Sequence, residues 1–302
     1  MSGFDSLPPN QETMSDSAQA ATDATQSFVV RFWGVRGSIP TPGIEMVRYG
    51  GNTACVELQV AGKRLIFDGG TGLRVLGKHL VNSMPLEAHL FFTHTHWDRI
   101  QGFPFFVPAF IEGNSFDIYG AIGPNGASIK QRLSDQMLRP NFPVPLQVMR
   151  SELRFHDIAP ASVILLDDIV IDTISLNRPN GALGYRVTWN GHSVVYATDT
   201  EHSPGYIDQG LLYLADQADL LIYDAAYTDY VYSDPQMAIA SETSAIWYSG
   251  VEVASAANVK RVVLFHHDPG HEDDYLDQVE ADIQSNSPHV CLAREGMTLE
   301  LV

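Results

Sequence analysis

Residues Leu90-Phe91-Phe92-Thr93 run straight into His94-Thr95-His96-Trp97-Asp98-Arg99. The apolar run reads as a buried strand, and the residues after it are metal-ligand types. Two imidazoles spaced by two positions, with a carboxylate two further on, can turn toward one point as the chain leaves the strand. Imidazole and carboxylate suit zinc or iron, and a loop at a strand end is where a scaffold presents chemistry. The next residue, Arg99, breaks the pattern. A guanidinium stays protonated in proteins and has no lone pair for a metal.

Other strand ends carry similar side chains. Ser193–Tyr196 leads into Ala197-Thr198-Asp199-Thr200-Glu201-His202, which presents a carboxylate, with His202 placed to face the same pocket. Leu220–Tyr223 ends at Asp224, and Arg261–Phe265 stops at His266-His267-Asp268. His267 points away from His266 if the strand persists, so it reads as structural, and the remaining histidines read as surface or packing residues. Asp68-Gly69-Gly70-Thr71-Gly72 is a tight turn before a helix. Glycines there can hold a phosphate, but a structural turn is the preferred reading.

The elements that must position these residues alternate between hairpins and β–α units. Strands are expected at 28–33, 54–60, 65–67, 88–93, 116–120, 162–166, 169–176, 185–189, 193–196, 220–223 and 261–265, with Asn190-Gly191 as a hairpin turn. Helices are expected at about 73–80, 128–138, 211–216, 245–257 and 274–284. Gly102–Phe110, with four phenylalanines, reads as a packed wall beside the site; Lys130, Arg132 and Arg139 read as a solvated helix face. The fold class is a layered α/β sandwich.

The 302 residues are 45% hydrophobic, enough for a large core, and carry a formal net charge of −18. That charge argues against a broad nucleic-acid or anionic-membrane surface. Residues 1–27 read as a disordered polar tail, with neither a signal peptide nor a span, ahead of one domain at 28–302. No apolar run approaches the roughly 18 residues of a membrane span. Two isolated cysteines fit a reducing cytoplasm.

Phe92-Thr93-His94-Thr95-His96-Trp97-Asp98, then Asp199, then His266, in this order at strand ends, resembles the metallo-β-lactamase superfamily. The Gly34–Gly43 loop, the Tyr49–Thr53 loop and the Asp68–Gly72 turn resemble its phosphodiesterase branch, which includes cyclic-phosphate phosphodiesterases and relatives of ribonuclease Z. The resemblance covers about residues 28–302 and implies a four-layer αββα sandwich with the site at the edge between two sheets. It also implies two metal ions about 3.5 Å apart. His94 and His96 would serve the first, Asp98 and His266 the second, and Asp199 would bridge them. Asp98 and His202 are the candidate catalytic residues.

The departures are as informative. Arg99 stands where the resemblance implies a histidine of the second metal, Arg178 where it implies the first metal's third histidine, and Ser244 where it implies a histidine near the scissile phosphate. Each arginine removes a ligand and adds a positive charge beside carboxylates with which a guanidinium pairs well. Ser244 cannot act as a general acid near neutral pH. The expected function is therefore a catalytically weak or silent relative that binds a small anion or a protein partner, with a homodimer left open. The alternative is a metal-dependent phosphodiester hydrolase working with one retained ion. Zinc is the expected metal, as one ion or none, with iron or manganese as alternatives.

Overall fold

Phe28, Val30 and Phe32 alternate with more exposed residues along the first strand, a period of two that leaves one face to be buried. In the computed structural model, which describes residues 27–178, 181–200, 208–224 and 245–302, two seven-stranded sheets bury such faces against each other. The first sheet has the order β14-β1-β2-β3-β4-β5-β6. Its strands are β1 (Phe28–Gly34), β2 (Cys55–Val60), β3 (Lys63–Phe67), β4 (Glu87–Phe91), β5 (Ser115–Ala121), β6 (Glu152–Ile158) and β14 (Thr298–Glu300). The second has the order β13-β12-β11-β10-β9-β8-β7. It comprises β7 (Val163–Leu166), β8 (Ile169–Leu176), β9 (Ala182–Trp189), β10 (His192–Ala197), β11 (Leu220–Asp224), β12 (Val262–Phe265) and β13 (Val290–Leu292).

Three separate cores define four layers. Phe32, Phe67, Tyr185, Ile222 and Phe265 belong to the core between the sheets. Helices α1 (Thr71–Leu80), α2 (Trp97–Ile100) and α3 (Ile129–Asp135) cover the outer face of the first sheet through Leu73, Ile100 and Leu133. Helices α4 (Gln209–Ala215), α5 (Ala245–Ala256) and α6 (Asp273–Asn286) cover the second through Leu211, Val253 and Leu276. Strand β11 is buried on both faces, with Leu220 and Ile222 toward the partner sheet and Leu221 and Tyr223 toward the helices. That two-sided burial is why its sequence is uniformly apolar. The α/β/β/α sandwich is the expected fold.

Most elements lie within a few residues of their expected bounds, and the differences have local causes. Strand β4 ends at Phe91 rather than at residue 93, because the Thr93 amide turns to donate to Asp68 Oδ1 at 2.9 Å. Helix α3 ends at Asp135, three residues short of 138. Three strands escape sequence reading. Strand β6, Glu-Leu-Arg-Phe-His-Asp-Ile, is a charged edge strand with no buried residue, and β13 and β14 span three residues each. The Asn190-Gly191 turn forms as expected, with both residues at positive φ (48° and 78°). No helix among the described residues is long and apolar enough to cross a membrane. The tail at 1–26, His202 and Ser244 lie outside the described residues.

Candidate functional site

Parallel pairing between β3 and β4, and among β10, β11 and β12, sends the carboxyl ends of these strands to one edge of the sandwich. Open α/β sheets place ligand chemistry at such ends. Three residues there leave their strands in the left-handed region: Asp68 (φ 58°), Asp199 (φ 64°) and His266 (φ 65°). Asp and His are among the few non-glycine types enriched in that conformation. The same short side chains that could act chemically thus also permit the sharp exits. Gly37 completes the cradle, because a Cβ there would lie 2.8 Å from His266 Nε2.

Arg99 stands at the centre of the cluster and is fully buried. Its NH1 donates to Asp68 Oδ2 at 2.9 Å and to the Tyr196 hydroxyl at 3.1 Å. Its NH2 donates to Asp199 Oδ2, and its Nε lies 3.4 Å from Asp98 Oδ2. Arg178 meets Asp199 from the other side, with NH1 on Oδ1, and NH2 donates to His96 Nδ1 at 2.9 Å. A guanidinium can only donate, so this His96 nitrogen is the acceptor and its lone pair is occupied.

The remaining expected residues also converge. His266 Nε2 pairs with Asp98 Oδ2 at 2.9 Å, and its Nδ1 pairs with Asp224 Oδ1 at 3.1 Å. Asp224 Oδ2 accepts the Asp199 backbone N–H at 2.5 Å, so one carboxylate orients two site residues. His94 Nδ1 meets Thr93 Oγ1 at 3.0 Å. Its buried Nε2 has no hydrogen-bond partner among the described residues and lies 4.0 Å from Asp199 Oδ2.

Burial and charge set the protonation states. Burial holds the His94 imidazole well below its usual range, so it is neutral at pH 7. Burial and the Arg99 charge also push His266 down, but the Asp199 and Asp224 carboxylates outweigh them and raise it to about 10. Burial would raise Asp98 and Asp199. For Asp98 the His266 hydrogen bond and Arg99 reverse that, and for Asp199 Arg99 leads His266, His94 and Arg178 in doing so; both carboxyls end well below the usual carboxylate range. Asp68 goes the other way, because burial outweighs Arg99.

Do these residues fit the two ions that the sequence resemblance implies? Asp199, Asp224 and His266 offer donor atoms within 4.8 Å of one another. Each Asp224 oxygen already accepts one hydrogen bond, from the Asp199 amide and from His266 Nδ1. Both Asp199 oxygens face guanidinium nitrogens, and Asp98 faces His266 and Arg99. Arg99 stands against Asp98 and Asp199, and Arg178 against His96 and Asp199, so cationic groups take the places beside these carboxylates and the residues present do not fit a dinuclear centre.

Several residues that sequence reading left out of the site belong to it. Asp68, Asp224 and Tyr196 each touch a predicted residue, and the signal for the two aspartates was their place at the end of a buried strand. Arg132 is not on a solvated face: its NH1 donates to Thr95 Oγ1 at 2.9 Å and its NH2 to the Ala121 carbonyl. His267 is structural, as its Nε2 meets the Ala293 carbonyl oxygen at 2.8 Å. The glycine turn holds no phosphate cradle. The Gly69, Gly70, Thr71 and Gly72 amides donate to Arg99 O, Ala54 O, Thr53 Oγ1 and Thr53 O.

The match to known proteins agrees with this architecture. The model of the Beta-lactamase superfamily domain matches residues 63–267. Ribonuclease Z from Staphylococcus carnosus is 21% identical over 86% of this chain and 95% of its own. The metallo-β-lactamase fold protein YhfI from Bacillus subtilis superposes with a TM-score of 0.64 at 17% identity, over 91% of this chain and 99% of its own. The short form of human tRNase Z gives a TM-score of 0.58 at 20% identity, over 90% and 98%. With its sandwich, its strand-end His-x-His-x-Asp cluster and a matched span of that extent, this chain belongs to the metallo-β-lactamase superfamily.

Proposed function

We propose that this chain is a catalytically silent or weak member of the phosphodiesterase-like branch, a binding protein in which internal guanidinium groups balance the carboxylates of a former metal site. One observation carries the reading. Arg99 and Arg178 grip the two oxygens of Asp199, the residue that would bridge two ions, from opposite sides. A buried carboxylate cluster needs compensating charge, and here the polypeptide supplies it. Ser244, standing where the resemblance implies a histidine, would remove the usual proton donor as well. The ligand is then a small anion or a protein partner; the net charge of −18 speaks against extended RNA.

A second reading rests on His94. Its Nε2 is buried and unpartnered among the described residues, 4.0 Å from Asp199. With His96 and Asp199 it would make two imidazoles and a carboxylate, a set that can hold one zinc ion as a Lewis acid for phosphodiester hydrolysis. For that, Arg178 would have to leave both His96 and Asp199.

Metal analysis of protein purified without chelator separates the readings. The silent reading expects less than about a tenth of an equivalent of zinc, iron or manganese, and no chelator effect on melting. One or more equivalents, together with metal-stimulated hydrolysis of bis(p-nitrophenyl) phosphate that His94→Ala abolishes, would establish the hydrolase instead.

A further inference from the structure

A cleft of about 790 Å³ opens on the helix-covered side of the first sheet, between α1, α2, the turn at Phe103–Phe105 and the segment that follows α3. It is distinct from the carboxylate–arginine cluster but shares α2 with it, since Trp97 stands between His96 and Asp98. Its volume falls in the range of small-molecule sites, roughly 300–1,000 Å³. Such sites combine apolar walls with a few placed polar groups, and this cleft does so in an unusual way for this chain.

The walls are aromatic. Trp97 is 68% exposed and Phe105 53% exposed, although Phe103 and Phe106 beside the latter are fully packed. Phe105 and Phe142 meet edge-to-face with centroids 5.6 Å apart. An exposed indole beside such a pair offers a flat surface on which a planar ring can stack. The polar groups are equally selective. Arg74 is the one charged side chain among the described residues lining the cleft, where no carboxylate appears, in a chain with 36 acidic and 18 basic residues. Gln101, Gln136 and Asn141 add neutral polar groups to the lining.

We infer that this cleft binds a planar aromatic anion, an aryl carboxylate or aryl phosphate. Its ring stacks on Trp97 and Phe105, and its anionic group faces Arg74. The assignment does not depend on whether the neighbouring cluster holds a metal or turns over a substrate.

Titration calorimetry of the full chain with 2-naphthoate, 1-naphthyl phosphate, uncharged 2-naphthamide and inorganic phosphate tests it. Both naphthyl anions are expected to bind saturably with one site per chain. Trp97→Ala, Phe105→Ala and Arg74→Ala are each expected to weaken binding about tenfold or more, equivalent to about 1.4 kcal/mol. Tyr213→Ala, exposed elsewhere on the surface, is expected to leave binding unchanged. Melting curves report whether each variant is folded, and the Phe105 and Arg74 variants carry the test should Trp97→Ala disturb the neighbouring motif. Absence of saturable binding up to about 5 mM, a Kd weaker than the millimolar range, would overturn the assignment. So would affinity unchanged in Phe105→Ala and Arg74→Ala, 2-naphthamide binding as tightly as 2-naphthoate, or inorganic phosphate binding as tightly as its naphthyl ester.

Discussion

Replacing Arg99 by methionine keeps an unbranched side chain in the same space and removes only the charge and its donors. In the wild type this fully buried guanidinium reaches Asp68, Asp199 and the Tyr196 hydroxyl, with Asp98 at 3.4 Å from Nε. Without it, Arg178 and His266 remain as the neighbouring cations for Asp199 and Asp98. Breaking a buried ion pair by deleting one partner costs about 3–5 kcal/mol. At about 2–4 °C per kcal/mol for a domain of this size, melting falls by roughly 6–20 °C at pH 7. The loss depends on pH. Asp98 and Asp199 have carboxyls depressed in the folded state, so their contribution is present above the unfolded value near 3.9 and is lost on acidification. In the variant those carboxyls are less depressed. The gap between the two proteins is therefore widest above about pH 5 and narrows below about pH 4. Scanning calorimetry from pH 3 to 8, with and without zinc, reads all of this. Zinc is expected to raise the melting temperature of the variant more than that of the wild type. A loss under about 1 kcal/mol, no pH dependence, or equal zinc stabilisation of both proteins would refute arginine as the balancing charge.

Other outcomes follow from the same contacts. His266 has its imidazole raised to about 10 in the fold, above its unfolded value near 6.5. Its contribution is thus full below pH 6.5 and fades as pH rises toward 10; Asp224→Asn, by removing a raising carboxylate, should shrink this alkaline loss in denaturant titrations at pH 6 and 9. Gly102→Ala should destabilise by about 1–3 kcal/mol or more, because its Cβ would fall 1.8 Å from the Gly70 carbonyl oxygen, and urea unfolding measures it. Phe103 and Phe105 separate packing from presentation. Phe103→Ala, at a position 1% exposed, should cost about 3–5 kcal/mol, whereas Phe105→Ala, at one 53% exposed, should cost about 0.5 kcal/mol or less.

The fold was legible because its signals are local. Alternation in β1, the unbroken apolar run of β11 and the Asn190-Gly191 turn each state a conformation within a few residues. Strand β6 was not legible, since a charged edge strand lacks the buried face that produces a pattern. The Gly102–Phe110 segment was legible in part. Phe103 and Phe106 pack as a wall, while Phe105 turns outward into the cleft, a choice made by short 3-10 turns rather than by residue type.

For the site, sequence alone determined which chemical groups could meet. The order of strand-end residues from His94 to His266, and the intrusion of Arg99 and Arg178 among them, are properties of the chain read end to end. Tertiary structure decided what those groups do to one another. Residues far apart in sequence come within hydrogen-bond reach only because parallel strands of two sheets end at one edge. There Asp68 and Tyr196 take one side of Arg99, Asp199 takes another, and Asp224 orients both His266 and the Asp199 backbone. A sequence can show that a ligand has become a cation, but Coulomb interactions fall with distance and rise with burial. Only the folded geometry brings that cation onto the carboxylates it neutralises.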